Sequence, residues 1–148
     1  MIMADMFTQD DRHYISLLQD NMNRMASNRA NAKIWLATLA TAIAALNFSR
    51  DGNLLIWIAV VMIVVFYVMD CLYLSLERKY LYLMETYVAL CKKGDEEGRK
   101  AMIYNLDISK VHESPTTFWN AMHSSRTLPY YLILFIIALA ISLGALAV

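Results

Sequence analysis

Residues 54–73 read LLIWIAVVMIVVFYVMDCLY, and this stretch decides the fold. Its only charged residue is Asp70, near the far end. About 18–20 apolar residues is the length a helix needs to cross the hydrocarbon of a bilayer. Two further stretches flank it. Ile34 to Phe48 is apolar apart from Thr38, Thr41 and Asn47, and Leu128 to Val148 carries no charge. With 59% hydrophobic residues in 148, the chain is too apolar for an ordinary soluble domain and too short for several. It reads as an all-α integral membrane protein with three transmembrane helices, at about 31–48, 54–73 and 128–148.

Charge orients these spans. The formal net charge is zero, so global charge points to no partner. Of 13 Lys and Arg, only Arg50 lies between the first two apolar stretches, and none follows the start of the third. Arg12, Arg24, Arg29 and Lys33 precede the first, and the remaining eight lie between Arg78 and Arg126. The positive-inside rule then predicts a multi-pass membrane protein with a cytoplasmic N-terminus, a cytoplasmic 78–127 segment and a C-terminus on the outer side. Met1 to Phe7 has no basic region and polar residues follow at once, so the first span is expected to serve as an uncleaved signal. Cys71 and Cys91 form no CxxC pair and fall at or inside the cytoplasmic face, where thiols stay reduced.

Residues 10 to 48 contain neither Pro nor Gly, and Tyr14, Leu18, Met22 and Met25 recur at helical spacing. This predicts one helix from about Asp11 to Phe48, cytoplasmic at first and transmembrane from about residue 31. Ser49 to Asn53 is a short polar turn, which forces the next helix to run back antiparallel. That helix is predicted over 54–92, transmembrane to about Tyr73 and then cytoplasmic. Leu72, Leu76, Tyr80, Leu83, Tyr87 and Leu90 alternate three- and four-residue steps, the pattern of a packed seam. Folding the hairpin about its turn sets Lys33 level with Asp70, and Arg24 level with Glu77 and Arg78. A charge inside lipid is costly, so a Lys33–Asp70 ion pair is expected at the inner membrane surface. In the plainer alternative each side chain reaches the headgroups separately.

Residues 93–127 are expected to form a cytoplasmic loop. Gly94 and Gly98 are expected to break the helix, and Met102 to Ile108 alternates loosely enough for a short strand or an irregular segment. Ser114-Pro115 is a helix-start signal for a short interfacial helix carrying Phe118, Trp119 and Met122. Thr127 and Pro129 repeat that signal for the third span, 128–148.

No catalytic or metal-binding spacing is present, and His13, His112 and His123 stand apart, so a non-enzyme without metal or cofactor is expected. Ala37, Thr38, Thr41, Ala42, Ala44 and Ala45 make the first span rich in small residues, which let helices approach closely in lipid. The plain consequence is packing within one subunit. The sharper one is a homo-oligomeric pore lined by Thr38, Thr41, Ala45 and Asn47, with Phe48 as a constriction. Three helices are too few to enclose a water-filled channel alone. In the cytoplasm, Lys92, Lys93, Arg99 and Lys100 cluster near Tyr104, while Arg24, Arg29, Arg78 and Lys79 ring the stalk. Basic residues interleaved with an aromatic suit a phosphate-bearing ligand or single-stranded nucleic acid. The same charges would also orient the chain and attract anionic lipid.

Asn23-Arg24-Met25-Ala26-Ser27-Asn28, then Lys33, Trp35, Thr38-Leu39 and Ala45-Leu46, form an RMxxN…KxWxxTL…AL opening. Asp70, Tyr73, Leu74, Glu77 and Arg78 form a DxxYLxxER block, and Pro129-Tyr130-Tyr131 leads into the last span. Over most of its length the chain thus resembles the small three-span membrane effectors of bacterial antiphage-defence operons, the channel subunits of Hailong systems among them. That resemblance implies a homotetrameric ion channel beside a nucleotidyltransferase-like operon partner. The partner's single-stranded oligodeoxyadenylate would hold the pore shut until its loss permits membrane depolarisation and abortive infection. A non-conducting adaptor and a phage holin are the alternatives. Many holins carry a charged cytoplasmic tail, and this sequence closes on Leu146-Ala147-Val148.

Overall fold

A computed structural model describes residues 7–47, 54–113, 116–125 and 127–146. The described chain is all-helical. In order come α1 (Gln9–Asn47), α2 (Leu54–Lys93), α3 (Glu96–Met102), α4 (Phe118–Met122) and α5 (Leu128–Leu146). One of these, α2, is long and apolar enough to cross a membrane by length and composition. The polar turn at 49–53, Ser114-Pro115 and Arg126 lie outside the described residues.

The helix ends follow local chemistry. Helix α1 starts at Gln9, two residues before the predicted Asp11, with Thr8 just ahead of it. The Thr8 hydroxyl accepts the Asp11 N–H at 3.3 Å, and the Asp11 carboxylate accepts the Thr8 N–H at 2.7 Å. This reciprocal box satisfies amide groups that a helix start leaves without partners. At the other end of the hairpin, α2 stops at Gly94, whose φ of 71° is open to glycine without strain. The Gly94 N–H bonds to Cys91 O and the Asp95 N–H to Leu90 O, closing the last turn. Asp95 then caps α3 by accepting the Gly98 N–H at 2.9 Å. Gly98 therefore sits inside a helix and does not break one.

The expected alternation at 102–108 yields turns. The Asn105 side chain accepts the Asp107 N–H at 3.0 Å, and the Asp107 side chain accepts the Ser109 N–H at 2.9 Å. Side chains that bind nearby amides compete with a strand ladder, and no described segment offers a partner edge.

The α1–α2 hairpin is the frame, at close to the register that its turn dictates. Tyr14 meets Tyr87 edge-on at 4.7 Å between ring centroids, and Leu36 packs near Ile63. Each helix is roughly 60 Å long, twice the thickness of a bilayer's hydrocarbon. The two halves pack differently. In the lower half Tyr14, Leu18, Leu83, Tyr87, Cys91 and Val111 form a buried core. In the upper half large apolar side chains face outward, among them Trp35, Trp57, Val61, Ile133 and Ile136. There α5 lies along α2 through Tyr131, Leu134 and Ala138.

The predicted seam on α2 is only half correct. Leu83 and Tyr87 are buried in it, but Leu72 is exposed. The buried positions at that level are Asp70, Cys71, Leu74 and Ser75. Helix α2 has two neighbours here, with Arg29 of α1 on Asp70 and the 116–122 segment on Cys71, Leu74 and Ser75. The seam shifts to serve both.

Gly94→Ala is expected to destabilise the fold by about 1 kcal/mol, because a Cβ in this region strains the backbone although it meets no atom. Thermal unfolding of the purified variant, followed by circular dichroism, measures it.

Candidate functional site

Two clusters of charged side chains stand at different heights on the hairpin. The upper one lies where the outward apolar surface begins. Asp70 is fully buried on α2, and Glu77 follows two turns later on the same face. Arg29 of α1 reaches between them. Its Nε donates to Asp70 Oδ1 at 2.7 Å, its Nη1 to Glu77 Oε2 at 2.8 Å, and its Nη2 to Thr127 Oγ1 at 3.4 Å. Lys33, one turn along α1, places Nζ 3.3 Å from Asp70 Oδ2 and 5.5 Å from the centre of the Tyr130 ring.

The expected Lys33–Asp70 contact is thus present, but the shorter, hydrogen-bonded pair is Arg29–Asp70. Guanidinium presents a planar fork of donors, so it can serve two carboxylates at once, whereas an ammonium is a point charge. The Lys33 contact is ionic. It leaves Asp70 Oδ2 and the Tyr131 hydroxyl beside it without a hydrogen-bond partner among the described residues.

Side chains of α2 then hold the irregular segment before α5. The Tyr67 hydroxyl donates to Met122 O at 2.6 Å, Ser75 Oγ to Thr116 O at 2.7 Å, and Arg78 Nη2 to Ser124 Oγ at 3.4 Å. Each ties that stretch, which includes the short α4, to the side of α2.

The lower cluster surrounds Asp11, which is almost fully buried at the start of α1. Its carboxylate accepts the Tyr87 hydroxyl at 2.5 Å and the Thr8 hydroxyl at 2.8 Å, with Arg99 Nη1 at 3.4 Å. Burial alone would raise the Asp11 pKa. The hydrogen bonds from Tyr87 and Thr8 and the charge of Arg99 outweigh it, so the pKa falls below the ordinary 3.8. Burial and the neighbouring carboxylate push the Tyr87 phenol up. Burial likewise raises the Cys91 thiol, which keeps it protonated and unreactive. Tyr14 donates to Asn105 O at 2.6 Å, tying the 103–110 turns to the hairpin.

The predicted ligand residues do not converge. Arg29 belongs to the upper cluster and Arg99 to the lower one. The Tyr104 hydroxyl donates to Asp10 at 3.3 Å. Lys100 contacts Glu96 across one helical turn at 3.8 Å, and Arg24 binds Asn21 at 2.9 Å. Lys92 and Lys93 occupy the last turn of α2, where positive charge favours the helix dipole. Arg78 joins Ser124, and Lys79 lies on the opposite side of α2, on a groove.

Of the predicted pore residues, Thr38, Thr41 and Ala45 face outward from α1. Thr38 Oγ1 donates back to Ile34 O at 2.9 Å, and Thr41 Oγ1 to Ala37 O at 2.8 Å. The Asn47 side chain and Phe48 lie outside the described residues. Among the described residues no group of His, Cys, Asp and Glu is placed to hold a metal ion.

Sequence reasoning missed Arg29 at the junction and Asp11 at the foot. Both had signals. Arg29 stands four residues before Lys33, on the same helical face and still level with the Asp70–Glu77 pair. Asp11 completes a Thr-x-x-Asp start. No family model, curated protein or solved structure matches the chain.

Removing Arg29 leaves Asp70 buried with Lys33 alone. Arg29→Ala is expected to cost about 3–5 kcal/mol, whereas Arg24→Ala, at an exposed site, should cost under about 1 kcal/mol. Comparable melting of the two variants would show that the buried pair is not what holds the helices.

The pH dependence has a definite sign. A carboxylate whose pKa is lower when folded stabilises the fold above its unfolded value and loses that contribution as pH falls through the folded one. Stability due to Asp11 should therefore be full above pH 3.8 and decline below it. Asp11→Asn should flatten that acid limb in melts recorded at a series of pH values.

Proposed function

We propose that this chain is the pore-forming subunit of a ligand-controlled, homo-oligomeric ion channel in a bacterial inner membrane, acting in antiphage defence. The observation that carries the membrane part is the belt of large apolar side chains on α1, α2 and α5, all on one side of the Arg29–Asp70 layer. A soluble monomer rarely exposes so extensive an apolar surface, whereas lipid covers it. On this reading α1, α2 and α5 each supply one span. Asp70 is about 24 Å along α2 from Leu54, near the inner edge of the hydrocarbon.

The pore rests on the outward face of α1. Ile34, Trp35, Thr38, Thr41, Ala42 and Ala45 recur on one side, and α2 does not cover them. Copies packed through this face would line a path with small and hydroxyl-bearing residues. The Thr hydroxyls already have backbone acceptors, so the closed wall carries no orphan donor. Conduction requires several copies, and the family resemblance favours four.

The resemblance also supplies the regulation. A nucleotidyltransferase-like partner makes a single-stranded oligodeoxyadenylate that keeps the pore closed, and loss of the ligand opens it and depolarises the cell. Because Arg29, Arg99 and Lys100 are held in ion pairs, the ligand charges shift to Lys92 and Lys93 at the foot of the stalk, with Arg24 above them.

Expression of the chain alone should collapse the membrane potential read by a voltage-sensitive dye, and purified protein should conduct in planar bilayers. Oligodeoxyadenylate should suppress that current, and Lys92→Ala with Lys93→Ala should weaken the block with a smaller salt dependence. A well-expressed protein that stays silent in both assays overturns the channel and leaves the adaptor reading.

A further inference from the structure

The expected seam residues Leu72 and Leu76 do not enter the seam. With Met69 and Lys79 they follow steps of three, four and three, so all four share one face of α2, turned away from α1. That face forms one wall of a groove of about 580 Å³. Residues 111–112 and 116–118 line the other side, His112 and Phe118 among them, and Ser75 donates to Thr116 O across the groove floor.

The groove is graded along its length. Its upper end, at Met69 and Leu72, is level with Asp70 and continuous with the exposed Val65 and Val68 of the apolar belt. Its lower end, roughly 15 Å along the helix, carries Lys79 and the exposed His112. Lys79 has no carboxylate within salt-bridge range among the described residues, whereas Arg29, Lys33, Arg99 and Lys100 each have one. A site that is apolar on its bilayer side and cationic on its aqueous side matches one kind of molecule.

We propose that this groove binds an anionic phospholipid of the cytoplasmic leaflet, its acyl chain along Met69, Leu72, Leu76 and Phe118 and its phosphate on Lys79 and His112. The site rests on the membrane reading above. Its upper mouth then opens into hydrocarbon, where lipid is always present and a soluble partner is not. Near an anionic membrane surface a single Lys is worth about fivefold in affinity. The groove would thus tie His112 and Phe118 to the lipid composition of the leaflet.

Native mass spectrometry of the detergent-purified protein tests this, with equal amounts of phosphatidylglycerol and phosphatidylcholine added. The wild type should retain phosphatidylglycerol about fivefold over phosphatidylcholine. Lys79→Ala should bring the two near parity, Lys79→Arg should restore the preference, and Leu76→Trp, which fills the groove, should lower retention of both. Circular dichroism melts at wild-type temperatures establish that each variant is folded. Equal retention by the wild type, or an unchanged preference in Lys79→Ala, overturns the site. So does loss of the preference on adding millimolar inorganic phosphate, which would mark a site for a soluble anion. Release of the chain from membranes by alkaline carbonate would overturn both this site and the channel; retention without lipid preference overturns the site alone.

Discussion

A carboxylate with no solvent exposure, set near the end of an otherwise apolar run, must have its charge answered in place. Asp70 imposes that constraint, and Arg29 answers it at 2.7 Å. Stripping the pair to one partner leaves an uncompensated buried charge, which is far costlier than the pair is stabilising. The alignment of α1 on α2 follows. A slip of one helical turn, about 5.4 Å, would withdraw Arg29 from at least one of Asp70 and Glu77. The same guanidinium reaches Thr127, and Lys33 reaches the Tyr130 ring, so the start of α5 is fixed by the layer that fixes the hairpin.

The two halves of the hairpin pack in different ways. Below the charged layer, Tyr14, Leu18, Leu83 and Tyr87 turn inward as they would in any water-soluble coiled pair. Above it, large apolar side chains turn outward, and Leu36, Ile63 and Tyr131 make the inner contact. Asp11 closes the lower end as Asp70 closes the upper one. Each is a buried carboxylate met by an arginine from a distant part of the chain, and between them they clamp the lower half of the hairpin at both ends.

This division bears on regulation. The proposed pore face of α1 and the proposed ligand charges at the foot of the stalk lie on the same two continuous helices, joined without a break by Pro or Gly. A tilt imposed at the foot would pass through the Arg29 layer before reaching Thr38 and Thr41. The proposed lipid groove lies beside that layer on the opposite face of α2, where it could bias the layer without touching the proposed pore face.

The helices themselves were legible in the sequence. Unbroken apolar and heptad-like runs, a five-residue polar turn and a glycine after Lys93 leave one way to make two long antiparallel helices, because backbone periodicity and chain length are local properties. The hairpin register also followed, and it placed a cation opposite Asp70. Which cation makes the hydrogen bond was a tertiary matter. Arg29 and Lys33 share a face one turn apart, and only the position of Glu77 and Thr127 around them favours the forked donor. The turns at 103–110, the burial of Asp11 by Tyr87 and Arg99, and the rotation of Leu72 and Leu76 out of the seam were likewise decided by long-range packing. Each depends on where a third segment docks against α2, and the spacing of residues along one helix carries no information about what will arrive at its other faces.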